Sequence, residues 1–509
     1  MIDAPKQASL AAADAVVAWC LRNAQRSERA GDAERAGLWA YVAAGTAADF
    51  GHSYLCSAPL ELLLGRLAQR TTTRQPPTRS GGASRWLHVM SVSWALGGHT
   101  RLALRWIEHA PVHERHDLVL TSQPLDALAP TLAAAVRSRG GEATSLAQTP
   151  GLIARAAALR ERAYAHADVV VLHVHMWEVV PAVAFGVAGG PPVLLVNHAD
   201  HAFWVGAAAA DCVVDIRDSG LALSTRLRGV RASAVLPVPL DDRGPAAHDR
   251  APAAARVADP AALDREHVLL TIGRMVKYRA HPALDFASAA LRIVDALGDC
   301  TLLAVGPDPS DPRWRALHER TAGRIIAVGE QDNLAPWHAA ADLYVEGFPI
   351  GSYTALLEVA LAQRPFVRKP WLAPPDVLPI DRGALAAFEP PRDADAYVDA
   401  AIALARDAAQ RRALAQAARA AVARAHCGSG WTAHLAALQG AVHGEHAVGL
   451  GFDPQPLPDG LARYIAGLRA DAQTRAPLDY ALEAATRHGL APRTDLALLD
   501  ALRAAERTG

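Results

Sequence analysis

Cysteine is scarce in this chain, and its spacing excludes the usual cysteine-based sites. The five cysteines lie far apart, with no CxxC pair and no even count: Cys20, Cys56, Cys212, Cys300 and Cys427. Disulfide frameworks and structural zinc sites need paired, closely spaced cysteines. We therefore expect no disulfide and no metal site, and a cytoplasmic location, because free thiols suit a reducing compartment.

The chain also lacks long apolar runs and a dominant charge. No stretch reaches the about 18 uninterrupted apolar residues of a membrane-spanning helix, and no basic region precedes an apolar run at the amino terminus. The 51 Lys and Arg residues are balanced by 52 Asp and Glu residues, so no strong field favours nucleic acid or anionic membrane as a partner. We expect no export signal, no membrane span and no nucleic-acid partner, and a ligand that is small or locally bound.

At 509 residues the chain is too long for one core, and its pattern changes along its length. Apolar residues at helical spacing predict an N-terminal helical module in residues 1–75, which ends in the Pro- and Gly-rich run Arg70 to Ser84. Residues 85–240 and 262–425 form two predicted domains, joined by the breaker-rich stretch Asp241 to Pro260. Residues 426–509 are predicted to be a C-terminal helical extension.

Short apolar runs alternate with helical stretches in both predicted domains. The runs are WLHVMSV, DLVLTS, DVVVLHV, PPVLLVNH and CVVDI in the first domain, and HVLLTIG, TLLAVG, RIIAVG, DLYVEG and PFVRK in the second. Strands that alternate with helices form parallel sheets. The predicted fold class is α/β, with two doubly wound, Rossmann-like domains.

The segment DLYVEGFPIGSYTALLEVALAQRP, residues 342–365, predicts an anion site. It has the pattern of a strand, a Gly/Pro loop and a helix, and free backbone N–H groups meet the positive end of the helix dipole where such a helix begins. Glu358, further into the helix, could accept hydrogen bonds from sugar or ribose hydroxyls. An ordinary strand-to-helix turn is the alternative. The loop residues that could contact the anion are Gly351, Ser352, Tyr353 and Thr354.

A basic loop follows the first strand of the second domain. Its sequence, GRMVKYR, supplies Arg274, Lys277 and Arg279. Fixed cations stabilise the negative charge that grows on a diphosphate leaving group, with Arg gripping two oxygens and Lys one. The loop therefore predicts a diphosphate site, although a solvated basic turn would have the same composition.

Two loops of the first domain could also face a ligand. Gly97 and Gly98 follow the first strand, where paired glycines allow close backbone approach or a tight turn; the GxGxxG fingerprint of a nicotinamide enzyme is absent. The strand VVVLHVHMWE places His173 and His175 on one face, where packing is favoured over metal binding because no third ligand follows. VNHAD ends the next buried strand, and His198 is a candidate acceptor-side base or donor-sugar contact, with Asp200 or His201 as its orienting partner. Histidines that only cap the loop are the alternative.

The order of these motifs, from about Arg85 to Ala425, resembles the glycosyltransferases of the GT-B fold. GGHTR, ADVVVLHVH, VNHAD, ADCVVDIRDSG and VLPVPLD are similar to successive first-lobe motifs of the large retaining family 4, and GRMVKYR resembles its phosphate loop. That family has two glutamates eight positions apart, whereas this chain has Glu358 but Ile350 at the first position. FPIGSYT instead resembles the loop of bacterial protein glucosyltransferases, inverting relatives of the O-linked N-acetylglucosamine transferases, which also carry a helical domain ahead of the two lobes.

The resemblance implies a metal-independent glycosyltransferase that moves a hexose-like sugar from a UDP-linked donor to an acceptor protein or glycan. The donor is a substrate, so no cofactor is expected. A nucleotide-sugar 2-epimerase of the same fold and a non-catalytic GT-B-like scaffold are the alternatives. The donor sugar, the acceptor, the stereochemistry and the oligomeric state are left open.

Overall fold

The computed structural model describes residues 10–71, 84–94, 98–279, 281, 284–371, 383–442, 445–470 and 476–490. Gly97 and most of the predicted linker after Arg70 lie outside the described residues. The chain begins with three helices, α1 (Leu10–Arg29), α2 (Ala33–Phe50) and α3 (Ala58–Arg70). Asp32 caps α2 by accepting from the backbone N–H of Arg35 at 2.9 Å.

The first lobe is built on seven strands: β1 (Arg85–Met90), β2 (Arg115–Leu120), β3 (Ala143–Ser145), β4 (Val169–His173), β5 (Val193–Asn197), β6 (Cys212–Asp215) and β7 (Ser233–Val235). They are all parallel and lie in the order β3-β2-β1-β4-β5-β6-β7. The helices between them are α4 (Gly98–His109), α5 (Pro130–Ser138), α6 (Leu152–His166), α7 (Val179–Ala184) and α8 (Asp218–Leu227). The central strands β4 and β5 are buried along their whole length, as near-continuous apolar runs require.

The second lobe carries five parallel strands: β8 (His267–Ile272), β9 (Cys300–Val305), β10 (Ile325–Ala327), β11 (Leu343–Val345) and β12 (Phe366–Val367). Their order is β10-β9-β8-β11-β12. The helices of this lobe are α9 (Ala251–Ala254), α10 (Phe286–Leu297), α11 (Pro312–Arg320), α12 (Ala335–Ala340), α13 (Tyr353–Leu361), α14 (Ala394–Arg406) and α15 (Ala408–His426). The two separate parallel sheets confirm the predicted α/β class with two doubly wound lobes.

Three further helices follow the second lobe: α16 (Gly428–Ala441), α17 (Asp459–Ala470) and α18 (Pro477–Arg487). They return to the first lobe. Trp431 of α16 packs in one core with Trp86 and Trp106, and α18 packs against α2. Leucines of α17 share a cluster with Leu223 and Leu227 of α8. No helix of the described residues is long and apolar enough to cross a membrane.

The three N-terminal helices share one hydrophobic core with the first lobe. Trp19 and Trp39 belong to the same buried cluster as Leu87 of β1 and Val170 of β4. The carboxylate of Glu61 in α3 accepts from the backbone N–H groups of Gly206 at 2.7 Å and Ala208 at 3.0 Å. The apolar faces of these helices therefore cover the first lobe, although a Pro- and Gly-rich run separates them from it in the sequence.

Candidate active site

The loop between β11 and α13 is the centre of the predicted donor site. Ser352 is the N-cap residue of α13, it is buried, and its hydroxyl makes no capping hydrogen bond. Tyr353 and Thr354, which the sequence analysis assigned to the loop, lie in the first turn of the helix. A Cβ added to Gly273, at the end of β8, would lie 2.8 Å from Ser352 Oγ. Glycine at that position therefore allows the two loops to meet.

Two partly buried lysines flank Gly351 in this loop. Lys277 Nζ donates to the Gly351 carbonyl at 3.2 Å, and a Cβ on Gly351 would lie 2.9 Å from Lys369 Cδ. Burial lowers the pKa of Lys277, and it lowers the pKa of Lys369 to about 8, although the carboxylate of Glu346 partly opposes both shifts. Two partly desolvated ammonium groups near a helix N-terminus favour the binding of an anion there.

Lys369 was missed from the sequence because it follows a two-residue strand and belongs to no glycine loop. The signal that could have found it is the rarity of lysine in this chain. Its only lysines are Lys6, Lys277 and Lys369, whereas arginine supplies nearly all other positive charge. Lysine is a compact charge whose pKa responds to burial, unlike arginine. Two of three lysines at one loop therefore indicate a specific requirement for an ammonium group.

The two arginines of the basic loop occupy different positions. The side chain of Arg274 is 80% exposed, and its Nε lies 3.8 Å from Glu330, itself 70% exposed. Arg279 points elsewhere and donates to the Leu468 carbonyl of α17 at 3.2 Å. In the described structure its guanidinium thus contacts a carbonyl near the end of α17, and its assignment to the diphosphate stays a prediction.

Asp200 does not orient His198, contrary to the sequence-based prediction. Its carboxylate accepts from Arg217 Nε at 2.6 Å and lies 3.2 Å from His201 Nδ1. Burial opposes its ionisation, but the charge of Arg217 holds the pKa of Asp200 well below its usual value. The guanidinium carbon of Arg217 lies 5.2 Å from the centre of the Tyr353 ring, so this ion pair joins the first lobe to the donor loop.

Glu358 is also engaged across the cleft. Its Oε1 lies 2.7 Å from Nη1 of Arg101 in α4. Burial raises the pKa of the Glu358 carboxyl, whereas the charges of three arginines lower it: Arg101, Arg105 and Arg243. The carboxylate predicted to bind sugar hydroxyls thus lies at the cleft. In this structure Arg101 donates the hydrogen bond that a sugar hydroxyl was predicted to donate.

His198 lies beside a pocket at the carboxyl ends of β4 and β5, lined also by His175, Asn197 and Trp204. Its ring stacks on His99 with centroids 5.9 Å apart. Burial and the neighbouring histidines lower the pKa of His198 to about 4, and its buried Nδ1 has no hydrogen-bond partner. A neutral imidazole with a free nitrogen can accept a proton from a hydroxyl in this pocket.

The remaining first-lobe candidate is Gly98, the first residue of α4. It is exposed, and a Cβ there would meet no atom within 4 Å, so no close approach of the protein itself requires glycine. Within the described part of the chain, no group of three or more His, Cys, Asp or Glu residues could hold a metal ion.

Comparisons with known proteins identify the fold. Residues 266–407 match the family model of glycosyl transferases group 1. The structure of Anabaena HepE in complex with UDP and glucose aligns over 70% of this chain and 100% of its own, with 13% identity and a TM-score of 0.50. The same protein in complex with UDP gives 13% identity and 0.51 over the same shares. The chain has the GT-B fold.

A Thermobaculum terrenum O-GlcNAc transferase also aligns with this GT-B chain, over 84% of it and 83% of its own length, at 16% identity and a TM-score of 0.49. No match to a curated protein is found. The family match covers the second lobe of the GT-B fold, including Lys277, Gly351, Glu358 and Lys369. The first-lobe candidates lie outside it.

Proposed function

We propose that this protein transfers a hexose-like sugar from a UDP-sugar to an acceptor protein or glycan held in the first-lobe pocket. The observation that carries this proposal is the convergence of two partly buried lysines, Lys277 and Lys369, on Gly351, just before the start of α13. The family match over this lobe supports it. The HepE structures with bound UDP and glucose give the class of donor to test first.

In this proposal the donor diphosphate sits at the N-terminus of α13. Its oxygens accept hydrogen bonds from backbone N–H groups of the first turn, such as that of Thr354, and from the Ser352 hydroxyl. Lys277 and Lys369 place positive charge where charge grows on the leaving diphosphate as the glycosidic bond breaks. These groups supply the neutralisation that a divalent cation gives in other phosphate sites, so the proposed reaction is metal-independent.

Glu358 holds ribose or sugar hydroxyls when the donor binds. In the described structure its carboxylate accepts from Arg101, so donor hydroxyls must replace or share that contact. A charge-assisted hydrogen bond is shorter and stronger than a neutral one. Replacement of Arg101 by donor hydroxyls at Glu358 therefore becomes favourable only when several donor contacts form together. Glu358 would then bind a complete UDP-sugar better than a fragment of it.

The acceptor enters the pocket beside His198. The unpartnered Nδ1 of His198 receives the acceptor hydroxyl proton as the oxygen attacks the sugar carbon. Asp200, His201 and Arg217 form a charged group beside the donor loop, where they position the loop through the Tyr353 ring. His201 and Asp200 therefore act on the donor side and not on the base.

The test is a screen of UDP-sugars for release of UDP, with and without cell lysate or defined acceptors, followed by mass spectrometry of the products. We expect one donor to release UDP with transfer of its sugar to an acceptor, and activity that survives EDTA. Conversion of the donor into its 2-epimer would show an epimerase. Absence of measurable affinity for UDP would contradict the proposal and indicate a scaffold.

A further inference from the structure

Three buried histidines on adjacent strands of the first lobe form a continuous hydrogen-bonded chain. His116 of β2, His88 of β1 and His173 of β4 are each at most 1% exposed. His116 Nδ1 lies 3.0 Å from His88 Nε2, and His88 Nδ1 lies 3.0 Å from His173 Nε2. Each contact joins two ring nitrogens, so in each one nitrogen must carry the proton and the other must accept.

A carboxylate beside one end favours one direction for these hydrogen bonds. Glu114 Oε2 lies 3.4 Å from His116 Nε2, a contact that is not a hydrogen bond, and its negative charge favours a proton on the nitrogen that faces it. With the proton on Nε2, His116 accepts on Nδ1 from His88, which in turn accepts on Nδ1 from His173. The last nitrogen, His173 Nδ1, is then a buried acceptor, and it has no hydrogen-bond partner.

The series of hydrogen-bonded histidines crosses the sheet obliquely, from the amino-terminal end of β2 to the carboxyl-terminal end of β4, which faces the cleft. His116 is the second residue of β2, whereas His173 is the last residue of β4. His99 and His198 lie near enough to His173 that their charges contribute to lowering its pKa to about 3, after burial itself. The free nitrogen of His173 is therefore at the same end of the sheet as the proposed acceptor pocket.

The surroundings keep the three rings neutral and in place. Burial lowers the pKa of His88 and His116, as it does for His173. Trp106 lies edge-on to His88 and His173, and Trp86 stacks on His116. The charged groups that act on His116 are Glu114, Arg139 and Asp117, and those that act on His173 are His99 and His198.

Apolar side chains would fill this space at a lower desolvation cost, so three imidazoles in series need another reason. We propose that Glu114, His116, His88 and His173 form a proton relay that carries the acceptor hydroxyl proton from the cleft histidines to Glu114. The relay rests on the proposed function, because it serves the proton that glycosyl transfer releases.

Each step of the relay moves one proton and changes no other bond. His173 Nδ1 takes a proton from the cleft side and releases its Nε2 proton to His88 Nδ1. His88 releases its Nε2 proton to His116 Nδ1, and His116 releases its Nε2 proton to the Glu114 carboxylate. Glu114 also accepts from Gln439 Nε2 at 2.9 and 3.1 Å, and exposed His113 and Arg115 flank it, so the proton leaves near the surface.

The first experiment reads the resting state of the relay in the unmodified protein. Nitrogen-15 NMR of the full chain labelled at histidine distinguishes the two neutral tautomers and the imidazolium. We expect three histidines that stay neutral from pH 5 to 8 with the proton on Nε2, assigned through single His→Phe variants. Protonated rings in this range, or protons on Nδ1, would overturn the relay.

The second experiment removes the last proton acceptor while keeping the size of its side chain. Glu114→Gln fills the same space beside His116 but cannot take a proton, and Glu142→Gln, which replaces an exposed carboxylate of the same lobe, is the matched control. We expect Glu114→Gln to lower kcat about tenfold and to change the solvent deuterium isotope effect, with the UDP-sugar KM and Tm unchanged. The control should match the unmodified protein.

Equal kcat and isotope effect in Glu114→Gln and the unmodified protein would overturn the relay and leave the glycosyltransferase proposal intact. A parallel change of Tm and KM would show a structural role for Glu114 and also overturn it. Failure of the unmodified protein to release UDP from any donor would instead reject the proposed function. Failure of the relay is thus measured on Glu114→Gln, whereas failure of the proposed function is measured on the unmodified protein.

Discussion

Arg101 of the first lobe and Glu358 of the second are joined by a hydrogen bond of 2.7 Å between Nη1 and Oε1. The arginine side chain is 41% exposed, whereas the glutamate side chain is 25% exposed. Half-exposed ion pairs contribute little to stability, about 1 kcal/mol or less. This pair therefore matters more for what Glu358 is free to bind than for holding the lobes together.

The first prediction separates these two roles by removing each partner. Glu358→Gln removes the charge that strengthens hydrogen bonds from donor hydroxyls, so we expect about tenfold weaker UDP-sugar binding, equivalent to about 1.4 kcal/mol. Arg101→Met should leave binding unchanged or tighter, because Glu358 no longer has to exchange a partner. Isothermal titration calorimetry measures both.

Equal weakening of donor binding by the two variants would contradict this prediction. It would mean that the ion pair itself closes the cleft around the donor. Arg105 also faces Glu358 and contacts Asp241, so Arg105→Met is a useful third variant. It removes a nearby charge without removing the hydrogen bond to Glu358.

The second prediction concerns the two partly buried lysines beside Gly351, Lys277 and Lys369. Lys277→Met and Lys369→Met keep the aliphatic stem but remove the ammonium group, so each should cut turnover of the correct UDP-sugar about a hundredfold, or about 3 kcal/mol of transition-state stabilisation. Arg279→Met is the control, since its guanidinium binds α17. Steady-state kinetics with Tm from calorimetry distinguish loss of catalysis from loss of fold.

If either lysine variant kept nearly full turnover, that lysine would have only a structural role and the diphosphate site would be misplaced. Arg274→Ala gives a further comparison, because its side chain is 80% exposed. An effect as large as that of the lysines would show that donor binding draws this arginine into the site.

A feature of this structure could be predicted from the sequence when it depends on residues close together in the chain. The ten predicted strands were found because each is an apolar run of β-branched and leucine residues bounded by turn signals. The edge strands β3 and β7 were missed, since their sequences, ATS and SAV, are short, contain serine or threonine and are only partly buried. The helix α13 was predicted because its signal, a Gly/Pro loop before a helical pattern, is local, although it begins at Tyr353, a residue assigned to the loop.

The site was predicted less completely because its contacts join distant parts of the chain. Asp200 and Arg217 are 17 positions apart, and Arg101 and Glu358 are 257 positions apart. Neither pairing leaves a mark in local spacing. The same holds for His88 and His173, which meet only because β1 and β4 are neighbours in the sheet.

The third prediction addresses the N-terminal helices. Glu61 is buried, and its carboxylate caps the backbone at Gly206 and Ala208 in the first lobe. Glu61→Ala leaves those N–H groups unsatisfied, which costs about 1–3 kcal/mol, so the urea midpoint should fall.

Deletion of residues 1–71 should give an insoluble or unfolded protein, because it uncovers the shared core. Glu34→Ala tests the same principle at α6, where Glu34 accepts from Ile153 N–H at 2.9 Å.

A folded, soluble truncation with unchanged UDP affinity would contradict the third prediction. It would mean that the first lobe can close its own core. The comparison is informative because the truncation leaves every proposed donor contact in place, so loss of binding would follow from loss of the fold and not from loss of a contact.

The last prediction follows from the buried, neutral state of His198. Its pKa is lowered from the usual 6.5 to about 4 in the folded protein, chiefly by burial, so below pH 6.5 the unfolded chain binds a proton that the folded chain does not. Stability is therefore greatest above pH 6.5 and falls as the pH is lowered toward 4. The loss from this residue is on the order of 3 kcal/mol.

In urea unfolding between pH 7.5 and 4, His198→Phe should lose less stability than the unmodified protein by about this amount, whereas the exposed His113→Phe control should follow the unmodified curve. Parallel curves for all three proteins would show that His198 is already charged or accessible to solvent in the folded state, and it would then not be the neutral proton acceptor that the proposed reaction requires.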